Sequence, residues 1–199
     1  MIAFSYVTMQ PIYPLLVQQF LDDYNLSDGI AVDIGTGPGH IGLELAKTTD
    51  MEIYFTDIRD DALKTASQNF KDLNADNTAH FIRADAEALP LKDAFADFVA
   101  SRGSIGFWKH PEKGLSEIHR ILKPGGTAYV GVGCGRYMPP TMRERIYSAM
   151  WNSQDKQRDR PVRYTLDELE RFVRMADISH YKMISEGDDR VGNWVEIRK

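Results

Sequence analysis

Three glycines spaced by one residue each follow a short apolar run near the start of the chain. Gly35, Gly37 and Gly39 come directly after the apolar segment 30–34. Glycine allows positive φ angles and close approach of the backbone to a ligand, because it has no Cβ. Helical periodicity resumes after the third glycine, and a helix N-terminus offers free N–H groups and a partial positive charge. The pattern predicts a binding loop for a nucleotide-like ligand with an anionic end.

The spacing of the glycines and the residue before them indicate which ligand this loop holds. The spacing from Gly37 to Gly42 matches the dinucleotide fingerprint only as a bare pattern. The first glycine after the apolar run is Gly35, and counted from there the last fingerprint position is His40. Asp33 precedes the loop by two residues, where a carboxylate gives a dinucleotide site no advantage. A carboxylate at that position favours a ligand that carries a cationic amine.

Further motifs along the chain support the same kind of binding site. The segment 32–39 resembles the first motif of class I S-adenosylmethionine-dependent methyltransferases. Asp57 lies 24 residues after Asp33 at the end of the second predicted strand, and Asp85 follows the third. The segment 122–126, Leu-Lys-Pro-Gly-Gly, resembles the family's turn into the fifth strand. The resemblance covers about residues 30–133, and the last quarter of the chain matches in architecture only.

The resemblance implies S-adenosyl-L-methionine as cofactor, S-adenosyl-L-homocysteine as product, and methyl transfer by in-line displacement from the sulfonium. Charged hydrogen bonds from Asp57 would hold the ribose hydroxyls, Ile58 would offer an apolar face to the base, and Asp85 with Ala86 would contact the adenine. The other reading of the aspartates is local backbone capping. The cofactor-binding residues that we expect are Asp33, Gly35, Thr36, Gly37, Gly39, His40, Asp57, Ile58, Asp85, Ala86 and Ser101.

Catalytic residues are weakly indicated. The exit of the fourth predicted strand, residues 101–108, lacks the Asn/Asp-Pro-Pro-aromatic tetrad that the family uses on amide or base nitrogens. The candidates are Arg102, His110 and Cys134. Arg102 could bind an anionic substrate or form a surface ion pair, His110 more simply enters a helix before Pro111, and Cys134 more simply fits a tight turn. No cluster has metal-ligand spacing, so no metal is expected.

The elements that would position these residues alternate between strand and helix. Such alternation predicts a doubly wound, mostly parallel seven-stranded sheet with an antiparallel last strand, helices on both faces, and one domain over residues 1–199. In this fold ligands bind beyond the carboxyl ends of the strands. The predicted strands are 30–34, 51–55, 79–83, 95–100, 127–132, 181–185 and 194–197, and the predicted helices include 11–24, 111–122, 142–151, 167–175 and one that Asp60 caps.

The region 136–163 interrupts the alternation. It contains seven Arg or Lys residues and three Asp or Glu residues, in a chain with a net charge of −5. We expect it to cover a small-molecule substrate that is anionic or aromatic; the alternative is a solvated helix with a loop. Tyr6, Met9 and Gln10 could close over the cofactor in the same way.

Composition limits the classes of function. The negative net charge argues against nucleic-acid binding. We expect no membrane association, because no apolar run approaches the roughly 20 residues of a membrane helix. A single cysteine and no basic-then-apolar leader favour a cytoplasmic location. Two alternatives remain at this point: an NAD(P)-dependent oxidoreductase, and a non-catalytic S-adenosylmethionine sensor or interaction module. The pattern does not select the acceptor atom or the oligomeric state.

Overall fold

Seven strands and six α-helices make up the described part of the chain. The structure, a computed structural model, describes residues 10–152, 161–187 and 191–199, and the side chains up to residue 148 and in the two later ranges. The strands are β1 (Ile30–Ile34), β2 (Glu52–Asp57), β3 (Ala79–Arg83), β4 (Ala96–Arg102), β5 (Leu122–Val132), β6 (Tyr181–Ser185) and β7 (Asn193–Arg198). The helices are α1 (Ile12–Tyr24), α2 (His40–Thr48), α3 (Asp60–Leu73), α4 (Pro111–Ile121), α5 (Pro140–Asn152) and α6 (Leu166–Met175).

All seven strands form one sheet in the order β3-β2-β1-β4-β5-β7-β6. The first five strands pair in parallel, and β7 pairs antiparallel with both β5 and β6. Strand order reverses between β1 and β4, so the crevice where a doubly wound sheet binds ligands opens at the ends of these two strands. The predicted fold class is confirmed.

Two hydrophobic layers cover the two faces of the sheet, because successive side chains of a strand point to opposite faces. On one face Ala31, Phe55 and Phe98 pack with α1 and α2. On the other face Val32 and Val99 pack with α4 and α6. Helices therefore lie on both faces, as the alternation predicts.

Several boundaries differ from the prediction. β4 extends to Arg102 instead of ending at Ala100, so Ser101 and Arg102 are strand residues that face opposite sides of the sheet. β5 begins at Leu122 and pairs with β4 across an irregular register at Ala96. Arg59, not Asp60, is the N-cap of α3, and Asp60 and Asp61 lie in its first turn. Acidic side chains there still favour the helix, because they oppose its positive end.

The region 136–163 contains α5, which packs on the same face as α1. Ile146 and Tyr147 are buried in one cluster with Cys134 and Trp194. The first half of this region is therefore a docked helix and not a solvated one. Arg158 and Arg160, like Tyr6 and Met9, lie outside the described residues. No helix of the described ranges is long and apolar enough to span a membrane.

Candidate functional site

The glycine loop between β1 and α2 adopts the backbone that its sequence predicts. Gly35, Gly37 and Gly39 have φ angles of 64°, 54° and 92°. A Cβ at Gly35 would lie 2.3 Å from Ser104 Cβ, whereas a Cβ at Gly37 would meet nothing within 4 Å. The loop is thus pressed against the protein at its first glycine and faces open space at its second. That open side is where a ligand can approach the backbone.

Asp57 turns its carboxylate toward this loop. Its side chain is buried, Oδ2 accepts the Gly37 N–H at 2.9 Å, and Oδ1 accepts the Arg59 N–H at 3.0 Å. A carboxylate oxygen has two lone pairs, so each oxygen retains one acceptor position. The next residue, Ile58, leaves 57% of its surface exposed despite its apolar side chain. An acid with free acceptor positions and an exposed apolar side chain therefore lie beside the open face of the loop.

Asp33 is buried beneath the loop. Its Oδ2 accepts the Thr36 hydroxyl at 2.6 Å and the Gly42 N–H at 3.1 Å, so it ties the loop to the first turns of α2. Burial raises its pKa from 3.8 to about 6, against the lowering effect of these two hydrogen bonds, and the nearby Asp57 adds to the rise. The structure thus shows its local partners, and a contact with a cationic amine remains an expectation.

The other expected cofactor residues differ in exposure. Asp85 is exposed, and its Oδ1 accepts the Glu87 N–H at 2.9 Å, which is the local capping arrangement, while Ala86 is buried. Ser101 is buried on the opposite face from Arg102; its hydroxyl lies 3.0 Å from the Ile34 carbonyl oxygen and bonds to Ser104. Ser101 therefore joins the ends of β1 and β4.

Arg102, His40 and Tyr13 form a cluster at the end of β4 on the α1 face. The rings of Tyr13 and His40 lie 4.4 Å apart, and the Arg102 guanidinium carbon lies 5.2 Å from the Tyr13 ring centre. Burial, and then the positive charge of Arg102, lowers the pKa of His40. Tyr13 carries no motif signal in the sequence, since it is one apolar-type residue within a regular helix, and sequence reasoning missed it.

The two other catalytic candidates, His110 and Cys134, are hydrogen-bonded at a helix start and buried, respectively. His110 is the N-cap residue of α4; its N–H donates to Glu87 Oε1 at 2.8 Å, and its ring Nδ1 lies 3.6 Å from Glu112. Cys134 is fully buried, and burial raises the pKa of its thiol to about 11. A protonated thiol is a weak nucleophile, so Cys134 lacks the surroundings of a reactive cysteine.

Glu186, which sequence reasoning missed, organises the loop after β5. Its buried carboxylate accepts the N–H groups of Cys134 at 3.1 Å and Gly135 at 2.7 Å, the Trp194 indole N–H at 2.7 Å and the Tyr147 hydroxyl at 2.6 Å. It thereby joins β6, β7, the β5 exit and α5. In the sequence, its position before Gly187 indicates only a turn. Its role is not visible there, because most of its partners are distant in sequence.

A separate groove of about 440 Å³ lies on the α1 face over β6 and β7. Its charged residues largely neutralise one another: Glu196 accepts from Tyr24 at 2.9 Å and from Arg198 at 2.7 Å, and Arg136 pairs with Asp23. Neither the glycine loop nor Asp57 lines it. The strand-end edge at β1, β2 and β4 therefore remains the candidate site.

Comparison with known proteins identifies the class. Residues 32–130 match the family described as "Methyltransferase domain". A protein from Methanococcus maripaludis, assigned as an S-adenosyl-L-methionine-dependent methyltransferase, has a crystal structure that superimposes with a TM-score of 0.82 at 31% identity, covering 98% of this chain and 88% of that one. The chain belongs to the S-adenosylmethionine-dependent methyltransferase family.

Relatives whose names state a substrate match a smaller part of the chain. The chain is 34% identical over 121 residues to 2-methyl-6-phytyl-1,4-hydroquinone methyltransferase 1 of rice, covering 60% of this chain and 34% of that protein. It is 31% identical over 99 residues to the ubiquinone/menaquinone biosynthesis C-methyltransferase UbiE of Blochmanniella pennsylvanica, covering 49% of this chain and 39% of that protein. The chain thus spans about a third of the length of these relatives.

Family membership favours S-adenosylmethionine over NAD(P) as the ligand of the loop. The family is that of S-adenosylmethionine-dependent methyltransferases, whose cofactor is S-adenosylmethionine. The residues at the loop fit that group: Gly37 faces open space, Asp57 keeps acceptor positions for hydroxyls, and Ile58 exposes an apolar face. Among the described side chains, no group of three or more His, Cys, Asp or Glu residues could hold a metal ion.

Proposed function

We propose that this methyltransferase acts on a small-molecule acceptor that is aromatic, anionic or both. In this proposal the glycine loop and Asp57 hold the cofactor, and the ends of β4 and β5 with α5 hold the acceptor. The main support for the cofactor site is the hydrogen bond from the Gly37 N–H to Asp57 Oδ2 at 2.9 Å. Acid and loop then face one ligand from two strands, which is the arrangement that a nucleoside with an amino-acid tail requires.

Each cofactor contact follows from the chemistry of one group. The free acceptor positions of Asp57 suit two neighbouring hydroxyls, since charge strengthens such hydrogen bonds. Ile58 suits the face of a purine, and Asp85, with Ala86 beside it, suits its exocyclic amine. The loop backbone from Gly35 to Gly39 suits the amino-acid tail, and Asp33 and His40 lie at its two sides.

The acceptor half is supported by its side chains and by the relatives. Tyr13 offers an aromatic surface beside the cation of Arg102, and the rice relative is named for a hydroquinone substrate. Because the chain spans about a third of that relative, an aromatic acceptor is the proposal and no particular quinol is implied.

The chain's own contribution to transfer is positioning and exclusion of water. The bound cofactor supplies the electrophilic methyl group, so the protein needs mainly to align the acceptor with it. Cys134 is protonated at neutral pH and His110 is bonded at the helix entry. An acceptor that is already ionised at neutral pH, such as a carboxylic acid, needs no base from either of them.

Calorimetry and a transfer assay test this proposal. The protein should bind S-adenosylmethionine and S-adenosylhomocysteine but not NAD, and Asp57→Asn should weaken S-adenosylhomocysteine binding by about tenfold or more, the loss of one charged hydrogen bond. Asp60→Asn, in an exposed residue of the next helix, is the matched control. Labelled cofactor should transfer its methyl group to a member of a panel of phenols, hydroquinones and aromatic acids. Equal binding by wild type and Asp57→Asn would remove the ribose assignment.

A further inference from the structure

The Arg102 guanidinium has only part of its hydrogen-bonding capacity used. Nε donates to the Gly133 carbonyl at 2.8 Å, and Nη1 donates to the Tyr13 hydroxyl at 3.5 Å. Nη2 is buried and donates to no group of the described residues. An arginine side chain carries five N–H donors and a permanent positive charge. A buried donor of this kind is costly when it stays without an acceptor, so the arrangement calls for one from outside the described residues.

No carboxylate of the described protein neutralises this charge. The acid nearest to the β5 exit, Glu186, is already bonded to Cys134, Gly135, Trp194 and Tyr147, and its cationic neighbour is Arg143 at 3.7 Å. The Tyr13 ring flanks the guanidinium at 5.2 Å. The surroundings therefore combine one free charged donor with an aromatic surface.

We infer that Arg102 binds a carboxylate of the methyl acceptor and so selects a negatively charged substrate. The inference rests on the function proposed above. Nε is bonded to Gly133 and Nη1 makes a long contact with Tyr13, so Nη2 is the nitrogen without an acceptor, and N–H donors of arginine pair strongly with carboxylate oxygens. An aromatic carboxylate would match both the charge and the neighbouring tyrosine ring.

The position of Arg102 favours the acceptor over the cofactor's own carboxylate. The guanidinium is held by Gly133 at the exit of β5, while Asp57 and the loop glycines lie at the ends of β2 and β1. β5 is two strands away from β1 in the sheet order, which corresponds to about 10 Å. Nε of Arg102 is thus anchored toward β5, whereas the Tyr13 ring beside its guanidinium contacts His40 at the end of the glycine loop. The affinity of Arg102→Gln for S-adenosylhomocysteine therefore decides between the two carboxylates.

An NMR titration with benzoate tests the inference. The probe is added to protein saturated with S-adenosylhomocysteine and to protein alone, and the ring signals of His40 report binding, because that ring lies next to Tyr13. We expect saturable shifts with benzoate and not with the neutral isostere benzamide. Arg102→Gln should weaken benzoate binding at least about tenfold, the loss of one charged contact, and Arg102→Lys should recover part of it. Arg174→Gln, in an exposed arginine of α6, is the control.

The affinity of Arg102→Gln for S-adenosylhomocysteine separates the outcomes and verifies that the variant is folded. We expect it to stay within about threefold of wild type. Benzoate binding that is absent, or equal in wild type and Arg102→Gln, overturns the inference. So does a large loss of S-adenosylhomocysteine affinity with unchanged binding of methylthioadenosine, since Arg102 would then hold the cofactor's carboxylate. Wild type that fails to bind S-adenosylhomocysteine refutes the proposed function instead, and the titration without it still decides the role of Arg102.

Discussion

The strand-end edge of the sheet has two halves of opposite charge. The ends of β1, β2 and β3 carry Asp33, Asp57 and Asp85, and the half at β4 and β5 carries Arg102 and, from α5, Arg143, whose charge the buried Glu186 offsets. The acidic half suits a cofactor with an ammonium and a sulfonium group. The basic half suits an anionic acceptor, so charge alone would orient the two ligands across the crevice.

The two halves are also held differently. In the acidic half the contacts join residues close in sequence, such as Asp33 with Thr36, or neighbouring strands, such as Asp57 with Gly37. In the basic half Glu186 bonds to Cys134 and Gly135 across more than 50 residues. The two halves should therefore respond separately to substitution, and each prediction below tests that separation.

The largest effect is expected for Glu186→Ala. The change leaves several buried donors without their acceptor and removes the partner of Arg143, so we expect a loss of about 3–5 kcal/mol in the free energy of unfolding. Because the loop at β1 has its own bonds, S-adenosylhomocysteine affinity should change less than about threefold. Urea denaturation and calorimetry provide the two measurements.

Glu170→Ala is the control for this substitution. Glu170 pairs with Arg174 on the surface of α6, and an exposed pair contributes about 0–1 kcal/mol. A folded Glu186→Ala variant that loses S-adenosylhomocysteine affinity more than tenfold would show that the two halves are coupled, and the comparison would fail.

The same difference explains what the sequence could predict. The acidic half was recognisable because it is built from local features of the sequence. These features are the glycines at 35, 37 and 39 and an aspartate at or just after the end of each of its strands. The strand and helix alternation likewise predicted the sheet and its strands, although the ends differ by one or two residues in β2, β4 and β7 and by five at the start of β5. Tyr13 and Glu186 carry no such local pattern, because they contact the site through residues about 30 to 90 positions away. Only tertiary packing brings them there.

Alanine substitutions should have different effects at Gly35, which packs against Ser104, and at Gly37, which faces open space. Gly35→Ala places a Cβ 2.3 Å from Ser104 Cβ at positive φ, so we expect a loss of about 2–4 kcal/mol in stability. Gly37→Ala meets no protein atom and should cost about 1 kcal/mol, mainly from its φ angle. Its methyl group would instead occupy the space of the ligand, and S-adenosylhomocysteine affinity should fall about tenfold or more. Unchanged affinity would place the ligand elsewhere.

Asp33→Asn should stabilise the protein at neutral pH. The folded pKa of about 6 exceeds the ordinary 3.8, so wild type loses stability as pH rises from 3.8 to 6 and carries the full penalty above pH 6. Two pKa units correspond to about 3 kcal/mol, and Thr36 and Gly42 both donate to one oxygen, which asparagine retains. The gain in Tm should be absent near pH 3.5 and largest above pH 6. A gain that does not vary with pH, or one equally seen in the exposed Asp60→Asn, would contradict the burial of this charge.

The smallest effect on binding is expected at Cys134, at the exit of β5 in the basic half. Burial raises its thiol pKa from 9.0 to about 11, so at pH 8 its thiolate fraction is about 100-fold below that of an ordinary thiol. Iodoacetamide should therefore react with the folded protein at least about 100-fold more slowly than with the same protein in denaturing urea, and Cys134→Ala should keep S-adenosylhomocysteine affinity within about twofold. Rapid alkylation of the folded chain that S-adenosylhomocysteine blocks would instead make this thiol a contact of the transferred methyl group, and the basic half would then contain a nucleophile as well as a cation.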